Sequence, residues 1–103
     1  MGFNLIIHDE AKREYQEGYK WYEEKQSGLG KKFTQNIEAI ITRITKNPEH
    51  YPKKKKNYRE AVVNVFPYII SYQIFKQENF IHISAIHHAK RNPRLKYRKL
   101  ENA

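Results

Sequence analysis

Between Tyr58 and Pro93 the chain reads YREAVVNVFPYIISYQIFKQENFIHISAIHHAKRNP, three runs of alternating residues separated by two turn signals. Successive side chains of a strand point to opposite faces, so a two-residue period fixes which residues share a face. In the first run Arg59, Ala61, Val63 and Val65 share one parity, and Glu60, Val62 and Asn64 the other. Phe66-Pro67-Tyr68 turns the chain, after which Ile70, Tyr72 and Ile74 alternate with Ser71 and Gln73. Gln77-Glu78-Asn79 makes the next turn, and Ile81, Ile83 and Ala85 then alternate with His82 and Ser84. The apolar parity must be covered by something. The other parity predicts an open polar face of Glu60, Asn64, Ser71, Gln73, His82 and Ser84, with His88 continuing its row.

The cover comes from the first half of the chain. Phe3 to His8 reads as a strand, and Ile6 and Ile7 make it apolar on both sides, which predicts an interior place in the sheet. Asp9 stands where an N-cap belongs. Ala11, Tyr15, Gly18, Tyr19 and Tyr22 then form one helical stripe ending near Gln26. Ser27-Gly28-Leu29-Gly30 breaks that helix. Leu29, Phe33, Ile37, Ile40, Ile41 and Ile44 mark a second one, which Asn47-Pro48 ends. The short link makes the two helices a hairpin. The loop PEHYPKKKKN follows, its four lysines too repulsive to bury. The expected fold is one α+β domain over residues 1–103, of order βααβββ. A helical hairpin packs on one face of a small, mainly antiparallel four-stranded sheet, and a basic tail begins near residue 93.

Charge narrows the function. Residues 1–50 hold eight Lys/Arg and eight Asp/Glu, whereas residues 51–103 hold twelve and three, so the whole net charge of +9 lies in the second half. A field this one-sided suits a negatively charged partner: nucleic acid, a ribosome or an acidic protein. The chain has no cysteine, which excludes disulfides, thiolate metal sites and a cysteine nucleophile. No metal site is expected, since His87 and His88 point opposite ways in a strand and His8, His50 and His82 supply no ligand spacing. No cofactor motif occurs: Gly28-x-Gly30 opens a helix without following a strand. The start lacks the pattern of a signal peptide and no apolar run reaches membrane-spanning length, so a cytoplasmic location is expected. The residues suited to hold a polyanion or a target are Lys53, Lys54, Lys55, Lys56, Arg59, Asn64, His82, Lys90 and Arg94. Histidines and cations after the last strand could also move protons or stabilise charge on phosphorus.

The segments AKREYQEGYKWYEEKQSGLGKKF, IEAIITRITKNPEHYP, FPYIISYQI and IHISAIHHAKRNP, in that order, resemble the RelE/ParE superfamily of type II toxin–antitoxin toxins, in its ParE-like plasmid-stabilisation branch. The resemblance implies the same βααβββ fold. It also implies a growth-inhibitory toxin, neutralised in a hetero-oligomer by an acidic antitoxin encoded in the adjoining gene. ParE-like members inhibit DNA gyrase, whereas RelE-like members are ribosome-dependent mRNA endoribonucleases. On the second reading Arg91, Tyr97 and His88 would be catalytic. Asn64 then stands where the nucleases place an arginine, and an amide cannot supply the charge of a guanidinium. A third reading is a non-toxic relic retained as a binding module.

Overall fold

A computed structural model describes residues 2–91 and 95–100. Strand β1 (Asn4–Ile7) leads to helices α1 (Asp9–Lys25) and α2 (Leu29–Lys46) and a short 3-10 turn, Pro48–His50. The strands β2 (Lys53–Lys55), β3 (Tyr58–Val62), β4 (Tyr68–Phe75) and β5 (Phe80–His88) follow. They form one sheet in the order β1-β5-β4-β3-β2, antiparallel except for the β1–β5 pair. The sheet therefore has five strands, not the expected four. The additional one is made by the lysine run itself, which pairs with β3 through Lys53↔Arg59 and Lys55↔Tyr58. Its side chains stay in water while its backbone bonds inward, so charge did not prevent a strand at the edge.

The helical hairpin follows the stripes except at Tyr19, which is exposed. Ala11, Gly18 and Tyr22 of α1 are buried, as are Phe33, Ile37, Ile40 and Ile44 of α2. They meet Ala61, Val63, Ile70, Tyr72, Ile81, Ile83 and Ile86 in a single core. Gly28 has φ +88°, a left-handed conformation that favours glycine. The Glu23 carboxylate of α1 accepts from the Gly28 and Gly30 N–H groups, each at 3.0 Å, and so caps α2 from its neighbour. The N-cap of α1 differs from expectation. His8 fills that position, its Nδ1 accepting from the Glu10 N–H at 3.0 Å, and Asp9 is the first helical residue.

β1 lies at an edge, not in the interior. Leu5 and Ile7 pair with Ile81 and Ile83 on the helix side, whereas Ile6 pairs with His82 on the other side and is 44% exposed. Two-sided apolarity here reflects one covered face and one apolar residue left in water.

A bulge in β5 shifts the parity of everything after it. Tyr72 pairs with Ile83 but Ser71 pairs with Ala85, leaving Ser84 as the extra residue. Ile86, opposite Ile70, therefore joins the core, while Ala85 moves to the far face with Ser71. His87 and His88 exchange the faces that unbroken alternation would give them, so His88 does not continue the row of His82 and Ser84.

The far face is not open. Glu60, Ser71, Gln73, His82 and Ser84 are all buried, and only Asn64 of the expected row below His88 is exposed. Residues 96–98 of the tail lie across that face: Ser84 Oγ is 2.8 Å from the Lys96 carbonyl, and the Tyr58 hydroxyl donates to the Arg98 carbonyl at 3.0 Å. Polar alternation signals a face without apolar cover, but a tail rich in hydrogen-bonding groups satisfies such a face as well as water does. None of the helices of the described residues is long and apolar enough to cross a membrane.

Candidate functional site

The tail divides the candidate residues between two hollows. The first, of about 450 Å3, lies where β2 and β3 meet the tail and is lined by Lys55, Lys56, Tyr58, Phe75, Tyr97 and Lys99, among others. Here the Tyr97 ring packs 5.0 Å from that of Tyr58, with the ammonium of Lys96 5.1 Å and that of Lys55 6.0 Å from its centre. The Tyr97 hydroxyl donates to Glu60 Oε2 at 2.6 Å, and Lys96 Nζ lies 3.3 Å from the same oxygen. Desolvation, reinforced by the carboxylate, pushes the Tyr97 phenol up to about 12. Tyr97 is thus a neutral phenol whose proton is already committed.

The second hollow, of about 340 Å3, lies between α1 and the end of β5 and holds Arg91, His88, His87, Tyr68, Glu14 and Arg98, among others. β1 pairs with β5 only as far as Ile83, so the edge of β5 beyond it has no strand neighbour among the described residues. Glu14 of α1 takes that place, accepting the Ile86 N–H at 3.0 Å. Arg98 closes the corner, giving its fork to Glu14 at 3.0 and 3.1 Å and a further bond to the Ser84 carbonyl at 2.9 Å. His88 Nδ1 accepts from the Lys90 N–H at 3.1 Å, and its ring meets Tyr68 edge-on at 5.5 Å. The buried Nε2 of His87 has no hydrogen-bond partner among the described residues.

Arg91 and His88 therefore share one hollow, and Tyr97 faces the other. Of the remaining candidates, Lys53, Lys54 and Lys55 line the outer strand, and Lys56 (φ 51°) turns into β3. Arg59 donates to the carbonyls of Tyr51 (2.7 Å) and Glu49 (3.3 Å), tying the 3-10 turn to the sheet. Asn64 is exposed between β3 and β4, and Lys90 is exposed just beyond β5. Arg94 lies outside the described residues. His82 is 1% exposed, its Nδ1 3.3 Å from Gln73 Oε1. Sequence reasoning missed Glu14, whose partner Arg98 lies 84 positions away. No local pattern announces such a pair.

The described residues hold no cluster of three or more metal-ligating side chains.

Burial, with the neighbouring His8 ring at 5.8 Å, lowers the His82 pKa from 6.5 to about 4. Burial lowers His87 in the same way. A base with a depressed folded pKa takes up its proton in the unfolded chain first. The His82 contribution to stability is thus intact above pH 6.5 and is lost as the pH falls towards 4. A loss of about 2 kcal/mol is expected at pH 5 relative to pH 7, read from urea midpoints, with a shallower slope in His82→Gln. Equal slopes in the two proteins would show that His82 does not carry the acid sensitivity.

Residues 5–93 match the family model described as the ParE toxin of type II toxin–antitoxin system, parDE. No curated protein sequence matches the chain. Among solved structures, the chromosomal ParDE toxin–antitoxin system of P. aeruginosa superposes with a TM-score of 0.74 at 14% identity, covering 85% of this chain and 97% of that one. The intact E. coli RelBE toxin–antitoxin complex gives 0.65 at 12% identity, covering 86% and 99%. The isolated E. coli RelE toxin gives 0.64 at 12% identity, covering 87% of each chain. At such identities these structures share the fold.

Proposed function

Since this chain belongs to the ParE toxin family of type II toxin–antitoxin systems, we propose that it arrests growth by inhibiting DNA gyrase through protein contact, and that an acidic cognate antitoxin neutralises it in the cytoplasm. The observation that carries the choice of gyrase is the separation of Tyr97 from Arg91 and His88. A nuclease driving attack by a ribose 2′-OH needs its proton-transfer and charge-stabilising groups around one phosphate. Here the phenol faces one hollow and donates its hydrogen bond to Glu60, while Arg91 and His88 face another. Asn64, exposed and uncharged, adds no guanidinium to either.

One observation favours the second reading, a ribosome-dependent endoribonuclease. The hollow around Tyr97 interleaves Lys55, Lys56 and Lys99 with aromatic rings, a composition that suits single-stranded RNA. Lys53, Lys54 and Lys90 extend the basic surface in either case.

The two readings separate in one experiment. The purified protein is expected to block supercoiling by gyrase at stoichiometric amounts, and Arg91→Ala and Tyr97→Phe are expected to arrest growth as the parent does. Tyr97→Phe should cost only about 1 kcal/mol of stability, because Lys96 still serves Glu60. Unchanged supercoiling, together with new transcript 5′ ends at ribosome-occupied codons that vanish in either variant, would replace the gyrase reading with the nuclease one.

A further inference from the structure

β2 ends the sheet, and its outer edge has no strand neighbour among the described residues. A free edge presents backbone N–H and C=O groups ready to pair with another chain. Lys53, Lys54 and Lys55, all exposed, decide which chain can use it. A second copy in register would set lysine against lysine, which repels. An extended acidic segment would set carboxylates against the same ammonium groups and fill the backbone bonds as well. Phosphates of a nucleic acid could meet the lysines but would leave the edge amides unused. The hollow beside β2 adds an apolar component, since Tyr58, Phe75, Tyr97 and Leu100 line it next to Lys55 and Lys56. Alternate side chains of an added strand would reach towards it. The opposite edge, β1, offers the exposed Leu5 and Ile6 with no comparable charge.

We propose that the outer edge of β2 receives an extended acidic segment of a protein partner, which joins the sheet as a sixth strand with its carboxylates on Lys53–Lys56 and its apolar side chains over the Tyr58–Tyr97 hollow. This rests on the reading that a neutralising partner exists, and it names the surface and the mode by which that partner holds the toxin. The edge lysines then do two things. They keep toxin edges apart, and they select an acidic strand over any other.

The isotope-labelled protein is titrated with a synthetic peptide of about ten residues alternating Glu and Val. Parallel titrations use the same peptide with Lys for Glu and a uridine oligonucleotide. The Glu peptide is expected to slow amide exchange of Lys53–Lys55 by about tenfold or more at saturation, with affinity falling as salt rises. The Lys peptide is expected to leave those amides unchanged, and the triple variant K53E/K54E/K55E to reverse the preference. Equal responses to both peptides, no change at the β2 amides, or protection by the oligonucleotide alone would each overturn the proposal. In the purified complex with the antitoxin the same amides should also be protected. An antitoxin that binds tightly while they exchange freely overturns the edge proposal and leaves the family reading standing. Unchanged gyrase activity bears on the target alone.

Discussion

Arg98→Ala is expected to lower stability by about 2–3 kcal/mol, a fall in Tm of roughly 10–15 °C for a domain of this size. The pair with Glu14 is largely screened from water, with side chains 13% and 19% exposed. An exposed ion pair would contribute well under about 1 kcal/mol. Two further features raise the cost here. The fork is bidentate, and the same guanidinium serves the Ser84 carbonyl. Removing it leaves Glu14 charged at a half-buried edge with only the Ile86 N–H as a described partner. Arg98→Lys should recover less than half the loss, because one ammonium cannot reach both acceptors in the geometry of the fork. A cycle with Glu14→Gln isolates the pair, since the amide oxygen can still accept from Ile86. A loss below about 0.5 kcal/mol for Arg98→Ala would show that the tail rests on the sheet without holding it.

Gly18→Ala is expected to destabilise by about 1–3 kcal/mol, against the direction that helix propensity alone gives. Alanine within an exposed helix gains about 1 kcal/mol over glycine. At Gly18 the added Cβ would sit 2.6 Å from Phe33 Cζ, 2.8 Å from its Cε2 and 3.1 Å from the Tyr68 hydroxyl. Phe33 is fully buried and ringed by Tyr22, Phe66 and Tyr68 at 4.8–5.5 Å between centroids, so its ring has nowhere to go. Overpacking therefore wins over propensity. The sign reverses where the ring is absent. In a Phe33→Leu background Gly18→Ala should be neutral or stabilising by up to about 1 kcal/mol. Additive effects of the two changes would refute this account of why α1 approaches α2 and β4 so closely.

Much of this architecture was legible because it repeats locally. The apolar stripe from Leu29 to Ile44 has one interpretation at a helical period, and the structure buries Phe33, Ile37, Ile40 and Ile44 along it. The runs Ile70–Ile74 and Ile81–Ile83 likewise fix their own faces. The lysine run was misread because a strand at an edge needs only backbone pairing on one side, and four charged side chains say nothing against that. Of the candidate site, the sequence named Arg91, His88 and Tyr97 but could not place Tyr97 apart from the other two.

What the sequence determined by itself was the helical hairpin, the antiparallel run of β3, β4 and β5, and the concentration of positive charge in the second half. Each depends on residues within one or two turns or strands of one another. Tertiary structure alone decided the bulge at Ser84, which sends Ile86 inward and exchanges the faces of His87 and His88. It also decided that the polar face is closed, because Tyr97 finds Glu60 37 positions away and Arg98 finds Glu14 84 positions away. The physical reason is one of range. Alternation and helical period are written in neighbouring residues, whereas a polar row is satisfied equally by water or by a distant tail, and only the folded chain determines which of them reaches it.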